Sequence, residues 1–292
     1  MSASRAGSAL AEYLRARRKL TTPEAVGLPR EPTRRVTGLR RSEVAQLAGI
    51  SVDYYVRLEQ GRDRQPSDQV LFCLARALRL NEHERSYLLR LASAAPAKLT
   101  PLHVPSPIRG DDDLVTTFLD SWSCTPAFVA DRNQDIIESN ALARRLLDGG
   151  LEPGQNVVLQ IFRDVVRDAD PDWVGTATRH LAALRYWSDP QDPRLRQLLG
   201  TLGTMASDFA SMWARYDAYP LTHGHLHVPA AGRGILELRS LTFSVPGAIG
   251  TTVTTVFADD GSPGREALQS LQEELAGADR ASTAGRGAKT AR

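Results

Sequence analysis

Cysteine is scarce in this chain, with two among 292 residues. That number excludes a disulfide framework, and the spacing of Cys73 and Cys124 makes no metal site. Both read as structural thiols, Cys73 in a buried helical position and Cys124 beside Trp122. Long apolar runs are missing as well. Nothing approaches the roughly 18 consecutive apolar residues that a bilayer crossing requires, and the polar opening MSASRAGSAL lacks the apolar core of a secretory signal. A soluble cytoplasmic protein with no membrane partner is the expectation. Catalytic signatures are also absent: there is no Gly-rich phosphate loop, no nucleophile elbow and no HExxH pair. The sequence therefore predicts no catalytic residues, no metal and no dedicated cofactor, and an enzyme with a fused basic domain is the weakest reading.

A net charge of +2 conceals a division along the chain. Residues 1–95 carry 17 Lys and Arg against 10 Asp and Glu, whereas the remaining 197 carry 19 against 24. A basic head on an acidic body suits a head that meets a polyanion. Arginine scattered over solvated faces is the plainer alternative, and it explains the division less well.

Within the head, LRRSEVAQLAGISVDYYVRLEQGR places Val44, Leu47 and Ala48 at i, i+3 and i+4, one buried face of a short helix. Gly49 ends that helix, because glycine tolerates the positive φ of a reversal, and Ser51 caps the next one. Tyr55 and Leu58 continue the buried face; Val52, Asp53, Val56, Arg57 and Gln60 point elsewhere, and Gly61 closes the helix. Arg40 stands where a Ser or Thr cap is usual, with Glu43 favouring the positive end of the dipole.

The rest of the head reads as helices over residues 7–19, from Ser67 and from Asn81, five in all, closing near Ala94. Arg30, Arg34 and Arg35 lie in the loop before the paired helices; phosphate or minor-groove contact and plain solvent exposure are both open to them. Residues 96–110, rich in proline, read as a stiff linker. Beyond them come strand, turn and strand from Thr125, a helix from Asn140, and two longer helices at about 171–187 and 193–216. Two strands in GRGILELRSLTFSV and TTVTTVFAD then alternate at period two. This is an α+β domain over residues 111–275, with helices on one face of an antiparallel sheet. Residues 276–292, almost without apolar side chains from Gly277, read as a disordered tail.

The paired helices, with Ala45, Gly49 and Leu58-Glu59-Gln60-Gly61, resemble the helix-turn-helix of the Xre or phage-repressor family. PAFVADRNQDIIESNALARRLL, DWVGTATRHLAALRYWSDPQDPRLRQLLGTL and FASMWARYD resemble the ligand-binding domain of MmyB-like transcription regulators, a PAS-like fold. Together these resemblances cover about residues 7–268. They imply a multidomain chain, an all-α five-helix DNA-binding domain over residues 1–95 followed by the α+β PAS-like domain. They further imply a regulator that binds double-stranded DNA, as a homodimer on a two-fold site, and senses an apolar molecule such as a fatty acid. A regulator whose second domain only dimerises or binds a protein partner is the alternative.

Under the first resemblance the recognition helix runs from Val52 to Gln60. Val52, Asp53 and Arg57 then take the base-reading positions, Ser51, Val56 and Gln60 complete the DNA-facing set, and Arg40 and Arg41 lie near phosphates. Arginine grips a guanine edge bidentately and aspartate accepts from a cytosine amine; an Arg57–Asp53 ion pair is the competing role. For the ligand, the candidate lining is Trp122, Phe128, Trp173, Leu181, Leu184, Phe209, Trp213 and Leu241, with core filling as the alternative. Arg185 or Arg239 is the candidate partner of a ligand carboxylate, against an ordinary ion pair. His223, His225 and His227 share one face if extended, but read as solvated loop histidines.

Overall fold

In the computed structural model, residues 2–29, 34, 36–62, 65–93, 112–147, 149–230 and 232–290 are described. The chain divides into two compact units, Met1–Leu102 with Leu181–Pro220, and His103–His180 with Leu221–Arg292.

In the first unit, α1 (Ser2–Leu20), α2 (Arg41–Ala48), α3 (Val52–Glu59), α4 (Asp68–Ala77) and α5 (Glu82–Ala92) surround one core. Leu10, Tyr13 and Leu14 of α1 meet Val44, Ala45, Tyr55, Leu58, Leu74 and Leu88 there, the faces that the helical spacing selects. Caps fix where the helices start. The Ser67 hydroxyl accepts from Val70 N, and Asn81 and Glu84 satisfy each other's backbone amides, the reciprocal box that removes two orphan donors. The loop before α2 must pass close to α1: a Cβ on Gly38 would lie 2.2 Å from the Lys19 carbonyl oxygen, so no larger residue is tolerated without movement of the backbone. The same unit holds α11 (Pro193–Met205), α12 (Phe209–Trp213) and the final turns of α10 (Trp173–Trp187). The helix expected over 193–216 breaks at Ala206, whose extended backbone ends α11 one turn after Gly203.

The second unit contains a five-stranded antiparallel sheet in the order β2-β1-β5-β4-β3. Its strands are β1 (Ala127–Ala130), β2 (Ile136–Ser139), β3 (His223–Ala230), β4 (Gly234–Ser244) and β5 (Thr252–Phe257). Period-two alternation in β4 buries Leu236, Leu238, Ser240 and Thr242 and exposes Ile235, Glu237, Arg239, Leu241 and Phe243. Leu236 and Leu238 pack under α7 (Ala141–Leu146) and α13 (Pro263–Thr290), through Leu142, Leu146, Leu268 and Leu271. Helices are not confined to that face. Ala127 and Val129 turn the other way and meet Leu119 and Val115 of α6 (Asp112–Asp120). Two short helices, α8 (Val157–Ile161) and α9 (Asp164–Ala169), complete the unit with the first turns of α10.

Two local readings of the sequence are corrected. Residues 223–230 form a strand, not a loop, because their backbone pairs with β4 along its length, His225 opposite Arg239 and Val228 opposite Leu236. Three histidines hid a period-two segment whose inward residues are Leu226 and Val228. The segment from Gly277 is helical through Thr290 rather than disordered; Ala267, Leu268 and Leu271 anchor the start of α13, and propagation from that anchored start needs no new nucleation. The expected linker at 96–110 lies outside the described residues, as do Arg30 and Arg35.

Asn140 joins the parts of the second unit. Its side-chain oxygen accepts from Ala127 N and Ala143 N, and its amide nitrogen donates to the carbonyls of Leu119, Trp122 and Thr125. One side chain thus caps α7, starts β1 and fixes the turn after α6. Asn140→Ala removes a cap and strands buried carbonyls, and is expected to lower the stability of this unit by about 2–4 kcal/mol. Urea unfolding followed by near-ultraviolet circular dichroism measures it, and a loss under 1 kcal/mol contradicts the assignment.

Candidate functional site

The turn between α2 and α3 has the geometry its sequence demands. Gly49 adopts φ 68°, where a Cβ is unfavourable, and the Ser51 hydroxyl accepts from Tyr54 N at 3.2 Å. The helix that follows buries Tyr55 and Leu58 completely. It exposes Ser51, Val52, Asp53, Arg57 and Gln60 to solvent, with Val56 half-buried. Val52, an apolar residue, is 44% exposed. Among the described residues no ion pair joins Arg57 to Asp53; the Arg57 guanidinium lies over the Tyr54 ring, 5.5 Å from its centroid.

Arginine is divided between surface and scaffold. Arg34 is not at a solvent-facing position: it grips Glu43 through two bonds of 2.7 and 2.6 Å and donates to the Val36 and Gly38 carbonyls. Glu43 in turn accepts from Arg40 N at 2.6 Å, so the start of α2 is satisfied by this carboxylate in place of a capping hydroxyl. The hydrogen bonds from Arg34 hold the Glu43 carboxyl below the ordinary range despite its partial burial. Arg41 is half exposed, its Nε held by Glu59 at 2.7 Å.

Glu59 is the element that sequence spacing did not reveal. It is 1% exposed, and its carboxylate takes Arg18 Nε of α1 at 2.6 Å and Arg41 Nε of α2 at 2.7 Å, while Arg15 donates to its backbone carbonyl at 2.9 Å. Burial pushes this carboxyl up, and the hydrogen bonds and charges of Arg18 and Arg41 outweigh burial, so it stays below its usual range. Burial also pushes the neighbouring Tyr55 phenol up, which keeps it neutral. The signal was present as Glu59 in a helix whose other buried residues are apolar, but its partners lie 41 and 18 residues away.

The aromatic residues considered for a ligand fall into both units. In the second unit, Trp173 is buried, donates its indole N–H to the Ile161 carbonyl at 2.8 Å and meets Phe162 edge-on. Phe128 is buried in β1, Trp122 is half-buried against Phe118, and Leu241 lies 40% exposed on the outer side of β4. In the first unit Leu181, Leu184 and Phe209 are buried, and Phe209 stacks with Trp213. Arg185 is buried. Its guanidinium donates to the Trp213 and Asp217 carbonyls and is enclosed by the Trp213 and Tyr216 rings. Arg239 pairs with Asp259 at 3.1 Å. Cys73 is half-buried, and exposed Cys124 accepts from the Gln272 amide. His227 Nδ1 lies 3.1 Å from Asp170 Oδ1, and among the described residues no group of three His, Cys, Asp or Glu is arranged to hold a metal.

A helix-turn-helix domain model matches residues 9–88. The MmyB-like transcription regulator ligand binding domain matches residues 112–271, more than half of the chain. The chain belongs to this family. It is a DNA-binding transcription regulator, with a helical head followed by an α+β domain built on a five-stranded antiparallel sheet. A search of curated proteins found no match. No helix among the described residues of the regulator is long and apolar enough to cross a membrane.

Glu59→Gln removes the charge that satisfies two arginines, one of them, Arg18, only 11% exposed. Breaking such a pair costs about 3–5 kcal/mol, so the head of the variant is expected to melt well below wild type. Glu59 and Glu43 carry lowered values in the folded state, so their contribution is present above the unfolded carboxylate range, near pH 4.3, and is lost as pH falls through the folded values. Thermal melts from pH 7 to 3 are expected to show a steep acid limb in wild type that is shallower in Glu59→Gln; equal limbs contradict the assignment.

Proposed function

We propose that this regulator is a cytoplasmic homodimer that reads a two-fold DNA site and changes its affinity for that site when its PAS-like domain takes up an apolar molecule of the fatty-acid class. One observation supports the reading above others: the helix capped by Ser51 and tied at its far end by Glu59 leaves Val52, Asp53 and Arg57 exposed, in a chain whose larger family match is a ligand-binding domain. Arg57 and Asp53 supply the base-edge chemistry. Arg40 and Arg41 supply phosphate contact, Arg41 with its orientation preset by Glu59. Ser51, Val56 and Gln60 complete the face. For the ligand, buried Phe128 and Trp173 offer apolar contact, and with Arg185 and Arg239 both engaged, the methylene chain supplies most of the binding, at about 0.8 kcal/mol per buried CH₂. The regulator needs no enzymatic activity for this role. A dimer places two recognition helices on one site and gains by effective concentration. Phe118, Leu241 and Phe243, all large apolar residues exposed on the second unit, favour a dimer or partner contact there.

Two outcomes test the proposal. On a site selected from random DNA, Arg57→Ala is expected to cost about 1–3 kcal/mol, with much less loss on unrelated duplex; equal losses on both remove Arg57 from base reading. Native mass spectrometry of the protein as isolated is expected to show a dimer carrying lipid, and titration of the selected site with delipidated and palmitate-loaded protein to differ by about 1–3 kcal/mol. A lipid-free protein with identical affinities leaves the second domain as a dimerisation or partner-binding module.

A further inference from the structure

The ligand-binding family match runs through residues 112–271, yet Leu181–Pro220, from its middle, folds into the compact unit that contains the helix-turn-helix. The attachment is polar, buried and specific. Arg185, 5% exposed, donates to Trp213 O at 2.5 Å and Asp217 O at 3.3 Å, with its guanidinium 3.6 Å from the Trp213 ring centroid and 4.5 Å from that of Tyr216. This cation folds residues 213–217 back against the end of α10. The folded-back residues then grip the head. Tyr216 donates its hydroxyl to Glu12 of α1 at 2.7 Å, and Arg17 of α1 holds both Glu84 of α5 and Asp217. Arg90 of α5 lies 4.9 Å from the Tyr186 ring centroid, and Ala218 is wholly buried in the head's core.

Two further features mark the contact as built. Tyr216 adopts φ 58°, an unfavourable conformation for an aromatic residue that persists only where its surroundings enforce it. Arg17, a cation of low exposure, is shared between Glu84 of the head and Asp217 of the segment, and Arg185, also of low exposure, is satisfied by carbonyls within the segment that the fold-back brings to it. From α1 the path continues to DNA-facing structure, because Arg15 and Arg18 of the same helix bond Glu59 at the end of α3.

We propose that Leu181–Pro220 is a docked regulatory segment of the DNA-binding head, latched by Arg185, and that it conveys the state of the ligand-binding region to the recognition helix through α1. Arg185 is a positioning residue in this scheme. The division between the two units falls inside α10, after His180, so one continuous helix carries both the start of the segment and residues of the other unit. The signalling half rests on the ligand-responsive reading above; the docking half does not.

Hydrogen exchange of the full-length protein, with and without palmitate, separates these halves. Arg185→Lys keeps the charge but loses the planar fork, and Tyr216→Phe removes only the hydroxyl bonded to Glu12. Exchange in Leu181–Pro220, α1 and α3 is expected to rise together, about tenfold for Arg185→Lys and a few-fold for Tyr216→Phe, with β1–β5 unchanged. A rise confined to the neighbourhood of the substitution, or spread evenly over the whole chain, overturns the docking. In DNA titrations the palmitate effect of wild type is expected to fall at least about fivefold in both variants; an effect that survives unchanged overturns the signalling. If wild type shows no palmitate effect, the ligand reading fails, and the exchange data alone decide whether the segment is docked.

Discussion

The buried carboxylate of Glu59 is the constraint around which the DNA-binding head is organised. It is withdrawn from water at the end of α3, and it is stable there only while Arg18 from α1 and Arg41 from α2 supply the lost solvation. Three helices are thereby fixed to one point. A surface ion pair contributes little to stability, but a buried one that loses a partner leaves an uncompensated charge, which makes its geometry obligatory. Glu59 fixes the C-terminal end of α3, and Ser51 and Gly49 fix its N-terminal end.

The same division of labour among arginines recurs. Arg34 satisfies Glu43 and through it the start of α2, Arg17 joins α1 to α5 and to Asp217, and Arg185 closes the turn that follows α12. Planar guanidinium groups suit such places, because they donate in several directions and stack on aromatic rings while remaining charged. The basic surplus of the head is therefore only partly available to a polyanion. Arg57 and Arg40 face solvent, and Arg41 does so in part.

In the second unit the organising group is neutral. Asn140 serves five backbone partners with one amide, and the sheet is closed by apolar packing from α7 and α13 on one face and α6 on the other. The outer side of β4 keeps Ile235, Leu241 and Phe243 in water, a concentration of exposed apolar area that monomeric proteins tend to limit.

What the sequence determined by itself was whatever depends on neighbours along the chain. The periodic faces of the head helices, the helix starts at Ser51, Ser67, Asn81 and Asn140, the reversal at Gly49 and the alternation of β4 are all local, and each stands where spacing placed it. What only the tertiary structure decided was the fate of charged and aromatic side chains, because their partners are remote. Arg34, Arg185 and Glu59 look alike in sequence whether they face solvent, ligand or core, and nothing near Trp213 announces that Arg185 lies beneath it. The β3 strand went unread because its three histidines mask an alternation that pairing with β4 alone makes meaningful. Helical periodicity likewise showed that 181–213 is mostly helix, but which unit that segment belongs to is settled by contacts with Glu12, Arg17 and Arg90, which no local pattern encodes.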